Sequence, residues 1–251
     1  MTSVYAEPRI LACGDRAVSV ELGDGISREV NARVLALDYL IRAEAPPGVL
    51  ETVPSYRALL VYYDPLVVGY TEVVEALRGL ASRARPDAMP PARLVELPCC
   101  YEGDLGFELE AAATKLGLGV DALVALHAGA EYSVDFVGFT PGLPYLSGMP
   151  ERLFIPRLES PRVKTPPGSV SIGGMQCCIY SVESPGGFWV LGRTPVRLYD
   201  PTAADPILLR AGDRVRFRVI HRGEFDAIAA AVAAGSYKAR LDDFGSGKIS
   251  P

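Results

Sequence analysis

The sequence predicts an α+β protein in which a small α/β sandwich domain is followed by a larger β-barrel domain. The first observation is its length of 251 residues, which suits two domains of ordinary size. The second is a proline-rich connector at residues 85–92, which is typical of a domain boundary. The third is a change from strands alternating with helices to many short strands divided by glycine and proline. We therefore predict domains at residues 1–88 and 89–251.

Six short segments make up the predicted first domain. Its strands are β-rich runs bounded by turn residues, and its helices carry apolar residues at helical spacing. In chain order they are strands 9–13 and 17–22, helix 26–42, strands 49–53 and 58–63, and helix 71–83. This order favours one sheet with both helices on the same face.

The predicted second domain begins with a strand and two helices and continues in many short strands. The strand is expected at 93–101 and the helices at about 104–116 and 120–127, the latter ended by Gly129. Further strands are expected at 169–172, 177–181, 188–191, 197–199 and 215–219, and an alanine-rich helix at 225–234. Short strands with regular breakers favour a closed or nearly closed barrel. The tail after Asp243 is expected to be frayed.

Composition and charge exclude several classes of protein. Hydrophobic residues make up 49% of the chain and charged residues 22%, a globular rather than a disordered composition. The net charge of −5 argues against general binding to nucleic acids or anionic membranes. No run approaches the roughly 18 apolar residues of a spanning helix, and the first residues lack the layout of a secretory signal. We therefore expect a cytoplasmic protein with no nucleic-acid or membrane partner.

The five cysteines are Cys13 and two adjacent pairs, Cys99 with Cys100 and Cys177 with Cys178. Because there is no C-x-x-C spacing and the chain has only two histidines, no metal site is expected. Two alternatives stay open for the thiols. They are either reduced and partly buried, or bridged between the two pairs, as happens inside hyperthermophiles.

The chemistry is predicted to lie between residues 131 and 200. Seven prolines stand between Thr140 and Val170 and alternate with glycines. An irregular segment of this length is more often functional than a simple connection between strands. It can line a ligand pocket with rigid backbone, or it can turn the tight corners of a barrel.

The same zone carries six cations in a net-acidic chain: Arg152, Arg157, Arg162, Lys164, Arg193 and Arg197. They can form a local site for carboxylate or phosphate, to which arginine offers two parallel donors. Alternatively, each is a surface charge paired with a neighbour such as Glu159 or Asp200. Arg162 and Lys164 lie two residues apart and would share one face of an extended segment, which favours the joint site.

His127 has two interpretations. It shares a helix face with apolar residues, which is typical of a half-buried core histidine, but histidine also suits proton transfer near neutral pH. His221 is expected at the surface, and Phe188 and Trp189 in the barrel core. Phosphate-binding loops, dinucleotide fingerprints and nucleophile elbows do not occur in the sequence.

Three motifs of this zone resemble those of one known family. GFTPGLPYLSG begins at Gly138, PRLESPRVKTPPGSV begins at Pro156, and SPGGFWVLGRT begins at Ser184. An I-x-G-x-Q run also ends at Gln176, and His127 stands in a matching context. On these residues the chain resembles the allophanate hydrolase subunit 1 or Kip inhibitor-like family, whose members include the B subunit of 5-oxoprolinase. The resemblance spans roughly residues 9–219.

The resemblance implies a fold and an activity. The fold is a small ferredoxin-like domain followed by a cyclophilin-like β-barrel. The activity is that of an enzyme subunit, expected to be inactive alone, which acts with an allophanate hydrolase subunit 2-type partner and a LamB/YcsF-type subunit. Together such proteins open 5-oxoproline to glutamate with ATP and Mg²⁺. Phosphorylation of the lactam oxygen makes it a leaving group, so the chemistry calls for cations facing a carboxylate and a phosphoryl group.

The resemblance also suggests site residues. His127, Arg162 and Arg193 are the candidate catalytic residues, the two arginines as anion contacts and the histidine as a proton relay. Gln176 would hold an amide-like group. The other candidate substrate-binding residues belong to the same motifs and are Tyr145, Arg157, Lys164, Gly186, Gly187 and Thr194.

Two rival functions stay open at this point. Relatives act as inhibitors of sensor histidine kinases, so the barrel could be a protein-recognition surface. The chain could also be half of a biotin-dependent carboxyltransferase or allophanate hydrolase, with the biotin-carrying parts on other chains.

Overall fold

A computed structural model describes residues 3–243 of the chain, with side chains described as far as residue 241. The chain divides into two compact units, Met1–Pro90 and Pro91–Pro251. The predicted division between residues 88 and 89 lies beside this one. The predicted frayed tail falls outside the described residues.

The first unit is one antiparallel sheet with two helices. Its elements are β1 (Val4–Ala12), β2 (Ala17–Gly23), α1 (Arg28–Glu44), β3 (Val49–Pro54), β4 (Ala58–Tyr63) and α2 (Tyr70–Arg83). The strands lie in the order β1-β2-β4-β3, and every neighbouring pair is antiparallel. Alternate residues of β2, such as Val18 and Val20, are fully buried with Val34 and Leu37 of α1 in one apolar cluster. The element order agrees with the predicted one.

The second unit contains the barrel, and its elements follow in chain order. They are β5 (Arg93–Cys100), α3 (Leu109–Leu116), α4 (Val120–Ala128), β6 (Glu131–Val137), β7 (Pro144–Ser147), β8 (Arg162–Thr165), β9 (Ser169–Gly173), β10 (Gln176–Ile179), β11 (Ser184–Gly186), β12 (Trp189–Arg193), β13 (Arg214–Ile220), α5 (Arg222–Ala233) and β14 (Arg240–Asp243).

Seven strands close the barrel in the order β12-β9-β10-β7-β6-β13-β5, and the pairing of Arg193 with Cys100 joins β12 back to β5. Strand β13 runs parallel to β5, and β14 adds a further strand beside β5. Strands β8 and β11 form a separate two-stranded ribbon. The predicted strand 197–199 is wrong, because prolines flank it and only an isolated bridge forms, between Tyr199 and Ile207.

The barrel interior is packed with apolar side chains rather than open. Inward-facing residues of successive strands, among them Leu97, Val134, Ile172 and Leu191, are fully buried. Each such side chain contributes about 1.5–3 kcal/mol to stability through burial. Because the interior is filled, a ligand site must lie on the outside of the barrel or at its ends.

All five cysteines are free thiols, so the alternative of a bridge between the two pairs is wrong for this structure. Cys99 and Cys177 lie in the barrel core, and Cys13 is exposed. Within residues 3–243, no helix is long and apolar enough to cross a membrane.

Candidate functional site

A cavity of about 290 Å³ lies against the outer face of the barrel, and we call it the outer cavity. Its floor comes from side chains that alternate along β7 and β10 with core residues: Tyr145 and Cys178 point outward, whereas Leu146 and Cys177 point into the core. The complete lining is Phe139, Leu143, Tyr145, Arg157, Pro161, Cys178, Tyr180, Pro185, Gly186, Gly187 and Phe188.

Phe139 is held at the edge of the outer cavity in a strained conformation. Its φ is 69°, a left-handed value that bulky residues rarely adopt, and its side chain is 65% exposed. The turn that imposes this conformation is closed by hydrogen bonds from the Gly138 amide to the Leu143 carbonyl and from the Leu143 amide to the Thr140 carbonyl. Backbone strain that is maintained in this way is typical of functional sites.

Arg157 is the one cation among the residues that line the outer cavity. Its Nη2 donates to Oε1 of Gln176 over 3.1 Å, and its Cζ lies 4.7 Å from the centre of the Phe188 ring. The indole of Trp189 donates to the carbonyl of Pro156 over 2.8 Å and so fixes the segment that carries Arg157. These contacts leave donors of the guanidinium for an anionic group, since a guanidinium has five N–H groups.

The tyrosines of the outer cavity stay protonated at neutral pH. Burial raises the pKa of Tyr180 to about 12 and also raises the pKa of Tyr145, which stacks on Phe136 with ring centres 4.5 Å apart. Burial likewise raises the pKa of the Cys178 thiol to about 12, so this thiol is no nucleophile. The cavity therefore offers hydroxyl donors and one guanidinium rather than a base.

Gly186 is required by the packing of the cavity wall. A Cβ at this position would lie 1.9 Å from the hydroxyl oxygen of Tyr180, a distance that no packed atom tolerates. At Gly187 the corresponding Cβ would meet the ring of Pro161 at 3.6 Å, an ordinary contact. Only the first glycine of the pair is therefore sterically necessary.

Four of the predicted substrate-binding residues line the outer cavity, namely Tyr145, Arg157, Gly186 and Gly187. Gln176 joins them through its bond to Arg157. Lys164 lies elsewhere: it is 74% exposed and pairs with Glu183 over 3.0 Å. Its substrate-binding role stays a prediction that this placement does not support.

Arg162, a predicted anion contact, is occupied by partners within the protein. Its guanidinium forms an ion pair with Glu108 and donates to the carbonyl of Phe188, and its Cζ lies 5.5 Å from the Phe107 ring centre. Glu108 also accepts a hydrogen bond from the Val190 amide over 2.7 Å. Arg162 therefore holds the wall residue Phe188 in position, and its role as an anion contact stays a prediction that these contacts do not support.

His127 lies inside the barrel and is fully buried. Its Nδ1 is 2.8 Å from the Tyr101 hydroxyl, its Nε2 is 3.6 Å from the Cys177 sulfur, and its ring stacks on Phe217 at 4.9 Å. Burial lowers the pKa of His127 from 6.5 to about 3, so the ring is neutral at ordinary pH. The predicted proton relay is not supported, because the ring reaches neither solvent nor the outer cavity.

Arg193 and Thr194 lie at a second cavity of about 280 Å³, which we call the α5 cavity. Thr194 is almost fully buried, and its hydroxyl accepts a hydrogen bond from the Val196 amide. The predicted site is thus divided between two places on the second unit.

Seven of the eleven residues that line the outer cavity are not among the predicted site residues, and three of these are the aromatic residues Phe139, Tyr180 and Phe188. Phe188 was expected in the barrel core but packs with Tyr180 and Leu143 in a cluster outside it. Phe139 belongs to the motif that begins at Gly138, whereas Tyr180 lies between two of the motifs. The motif itself is the sequence signal for Phe139, but no local signal marks Tyr180, because its place in the wall depends on its contact with Gly186, six residues later in the chain.

Comparisons with known proteins agree with this picture. A family model described as the carboxyltransferase domain, subdomain C and D, matches residues 8–209. The B subunit of 5-oxoprolinase from Bacillus subtilis (strain 168) is 36% identical over 225 residues, which is 85% of this chain and 93% of that protein. The corresponding 5-oxoprolinase polypeptide of Escherichia coli O157:H7 is 36% identical over 209 residues, covering 83% of this chain and 94% of that one.

Among solved structures, TTHA0988 in space group P212121 matches with a TM-score of 0.74 and 39% identity. The match covers 82% of this chain but only 40% of TTHA0988, so this chain spans less than half of that longer protein. The family match includes all three motifs of the second unit, the last of which ends at Thr194. The chain therefore belongs to the carboxyltransferase subdomain C and D family, and it is similar to the B subunits of two bacterial 5-oxoprolinases over nearly their whole length.

Proposed function

We propose that this protein is a subunit of an ATP-dependent 5-oxoprolinase, which opens 5-oxoproline to glutamate, and that the outer cavity holds the substrate. The observation that carries the proposal is the position of Arg157, a cation fixed by Gln176 and Phe188 at an aromatic-lined cavity. The names of the curated relatives support the same reaction.

The lining matches the chemistry of the proposed substrate. The carboxylate of 5-oxoproline would accept two parallel N–H bonds from Arg157, which is the strongest geometry for such a pair. The apolar ring atoms would lie between the aromatic side chains of Tyr145 and Phe188. The hydroxyls of Tyr145 and Tyr180, protonated at neutral pH, can donate to the lactam oxygen.

ATP and Mg²⁺ do not fit the residues of the outer cavity. Mg²⁺ prefers carboxylate and phosphate oxygens, and the lining contains no aspartate or glutamate. Within the described part of the chain, no group of three or more His, Cys, Asp or Glu side chains could hold a metal ion. We therefore assign ATP and Mg²⁺ to another subunit and derive no step through them on this chain.

The proposal includes partners and a location. Both curated relatives are named as one subunit of an enzyme, and the match covers only 40% of TTHA0988, which together support an assembly with further polypeptide. We assign the partners to the allophanate hydrolase subunit 2 type and the LamB/YcsF type, with a chain that is inactive alone and cytoplasmic. The histidine-kinase and biotin-dependent functions stay predictions of the sequence.

The finer fold assignments and the division into two domains near residue 88 belong to this proposal too. The first unit runs ββαββα, and moving β1 to the end of that order gives βαββαβ, the ferredoxin-like order. The strand order β1-β2-β4-β3 is compatible with such a permuted arrangement. We assign the closed seven-stranded barrel to the cyclophilin-like class.

The test is an assay of glutamate release from 5-oxoproline and ATP by the chain co-expressed with its two partner subunits. Arg157→Lys keeps the charge but loses the planar donor pair, so we expect kcat/KM to fall about 10- to 100-fold, mainly through KM. Arg210→Gln is the matched control, because Arg210 is an exposed arginine of the same unit. Absence of glutamate release from the assembled complex, or full activity of Arg157→Lys, contradicts the proposal.

A further inference from the structure

The α5 cavity lies between the end of the barrel and helix α5. Its barrel side contains Arg193, Thr194 and Val196, and its other side is the helix. The complete lining is Pro167, Gly168, Ser181, Arg193, Thr194, Pro195, Val196, Arg197, Phe225, Ala229, Val232 and Ala233. Helix α5 lies beyond residues 8–209, so this cavity depends on a segment outside the family match.

Arg193 is a half-buried cation without a compensating partner at this cavity. Among side chains as far as residue 241, its guanidinium makes no hydrogen bond or ion pair. The other arginine of the lining, Arg197, is paired with Asp200 over 2.9 Å. Burial lowers the pKa of Arg193, as expected for a cation that has lost water and gained no anion.

The charged side chains nearest to Arg193 act on it only through space. Asp104 and Arg222 act on it through space with opposite signs, and they are paired with each other over 2.6 Å. A partly desolvated guanidinium of this kind has donors in a fixed planar arrangement that suits a carboxylate. The cavity therefore suits a ligand that carries a single negative charge.

Gly168 allows the arginine to line the cavity. A Cβ on Gly168 would lie 2.3 Å from the Thr194 carbonyl oxygen and 3.3 Å from Cγ of Arg193, and its φ of 81° disfavours any side chain. The amide of Thr194 donates to the carbonyl of Gly168 over 2.9 Å. The backbone therefore holds Arg193 and Thr194 against Gly168. Any other residue at position 168 would introduce strain.

The opposite wall is apolar. Phe225, Ala229, Val232 and Ala233 stand at helical spacing on one face of α5, and no residue of that helix is fully buried. Three of these four side chains are small, which leaves room beside the helix. The cavity volume of about 280 Å³ lies just below the range of about 300–1,000 Å³ for drug-sized ligands, so a small ligand fits.

We propose that the α5 cavity is a second ligand site, separate from the outer cavity, which binds a small organic monocarboxylate through Arg193 and places its apolar body against α5. A monoanion matches the one uncompensated guanidinium, whereas a phosphate dianion would need a second unpaired cation, and the other arginine of the lining, Arg197, is paired with Asp200. The site does not depend on the proposed 5-oxoprolinase activity, since it uses none of the outer-cavity residues.

Calorimetric titration of the full chain with benzoate tests the site. Benzoate should bind, benzamide should not because it lacks the charge, and inorganic phosphate should bind more weakly than benzoate. Arg193→Gln should weaken benzoate at least about tenfold. The matched control is Arg210→Gln, at an exposed arginine of the same unit that lines neither cavity, and it should leave benzoate binding unchanged. Benzoate bound at Arg157 would persist in Arg193→Gln, which separates this site from the proposed substrate site.

A second variant keeps the test decisive should Arg193→Gln fail to fold. Ala229→Leu fills the cavity from the helix side and should also weaken benzoate, whereas Ala230→Leu, one residue along and exposed, should not. Equal binding of benzoate and benzamide, tighter binding of phosphate, or unchanged benzoate binding in Ala229→Leu overturns the proposal.

Discussion

The interior of the barrel and the outer cavity both contain side chains of types that are common in active sites, but the surroundings of these side chains differ between the two regions. Inside, His127 is surrounded by Tyr101, Cys177 and Phe217 and is neutral because its pKa is lowered to about 3. Outside, the guanidinium of Arg157 lines the outer cavity, donates one hydrogen bond to Gln176 and lies against the ring of Phe188.

The difference shows that residue type alone does not locate chemistry. A histidine is the usual proton-transfer group, yet complete burial makes it a packing and hydrogen-bonding residue of the core. An arginine with partial contacts keeps donors available for a ligand. The two regions therefore differ in whether a ligand could reach the side chain.

Replacement of Arg162 by alanine has the largest expected effect, because Arg162 holds a wall of the outer cavity together. Its loss leaves the carboxylate of Glu108, whose side chain is only 16% exposed, without its counter-ion. Breaking such a pair from one side costs about 3–5 kcal/mol. Urea unfolding should show a fall of this size in the free energy of unfolding, against a change below about 1 kcal/mol in Arg157→Ala. Equal stability of the two variants contradicts the division between a structural and a ligand-facing arginine.

Gly186→Ala should have the next largest effect and tests the packing of the outer cavity. The added methyl group would overlap the Tyr180 hydroxyl, so we expect destabilisation of up to about 3 kcal/mol. The matched control is Gly187→Ala, where the new Cβ makes only an ordinary contact. Thermal unfolding of both variants is the measurement. If the Gly186→Ala protein is as stable as the Gly187→Ala protein, the cavity wall rearranges to accept the methyl group and the predicted destabilisation is wrong.

The smallest expected effect is the change of the free energy of unfolding with pH, which tests the barrel interior. Between the unfolded pKa of 6.5 and the folded pKa of about 3, the unfolded chain binds a proton at His127 and the folded chain does not. Stability therefore falls as the pH decreases through this window, by about 2 kcal/mol between about pH 7 and about pH 5.

Urea unfolding at several pH values measures this slope. The part due to His127 should vanish in His127→Phe, whose overall stability is also lower because Tyr101 loses a partner. It should persist in His221→Gln, because His221 is 90% exposed at the surface. The same slope in His127→Phe and the unaltered protein would mean that the buried ring is not the source.

Most elements of the fold could be predicted because their patterns are local. The alternation of Val18 and Val20 and the helical spacing of Val34 and Leu37 depend only on neighbouring residues. Closure of the barrel through Arg193 and Cys100 could not be predicted, since it joins segments far apart in the chain. The failed strand at 197–199 had the right alternation but no partner strand.

The candidate site was predicted only in outline. The glycine and proline motifs predicted the segments that line the outer cavity. Whether a given cation faces that cavity depends on partners far away in the chain. Arg157 and Arg162 belong to one motif, yet the second turns to Glu108, 54 residues earlier in the chain. The apolar wall of the α5 cavity comes from a helix that no motif includes.

Strand β5 has a consequence for biosynthesis. Its partners β12, β13 and β14 are made only after residue 188, so β5 leaves the ribosome with both edges unsatisfied. At about 5–20 residues per second this delay is on the order of 5–20 seconds. Unpaired apolar strands of this kind are sites of aggregation. Pro98, which lacks an amide donor in the second half of β5, limits strand addition by other nascent chains during that interval.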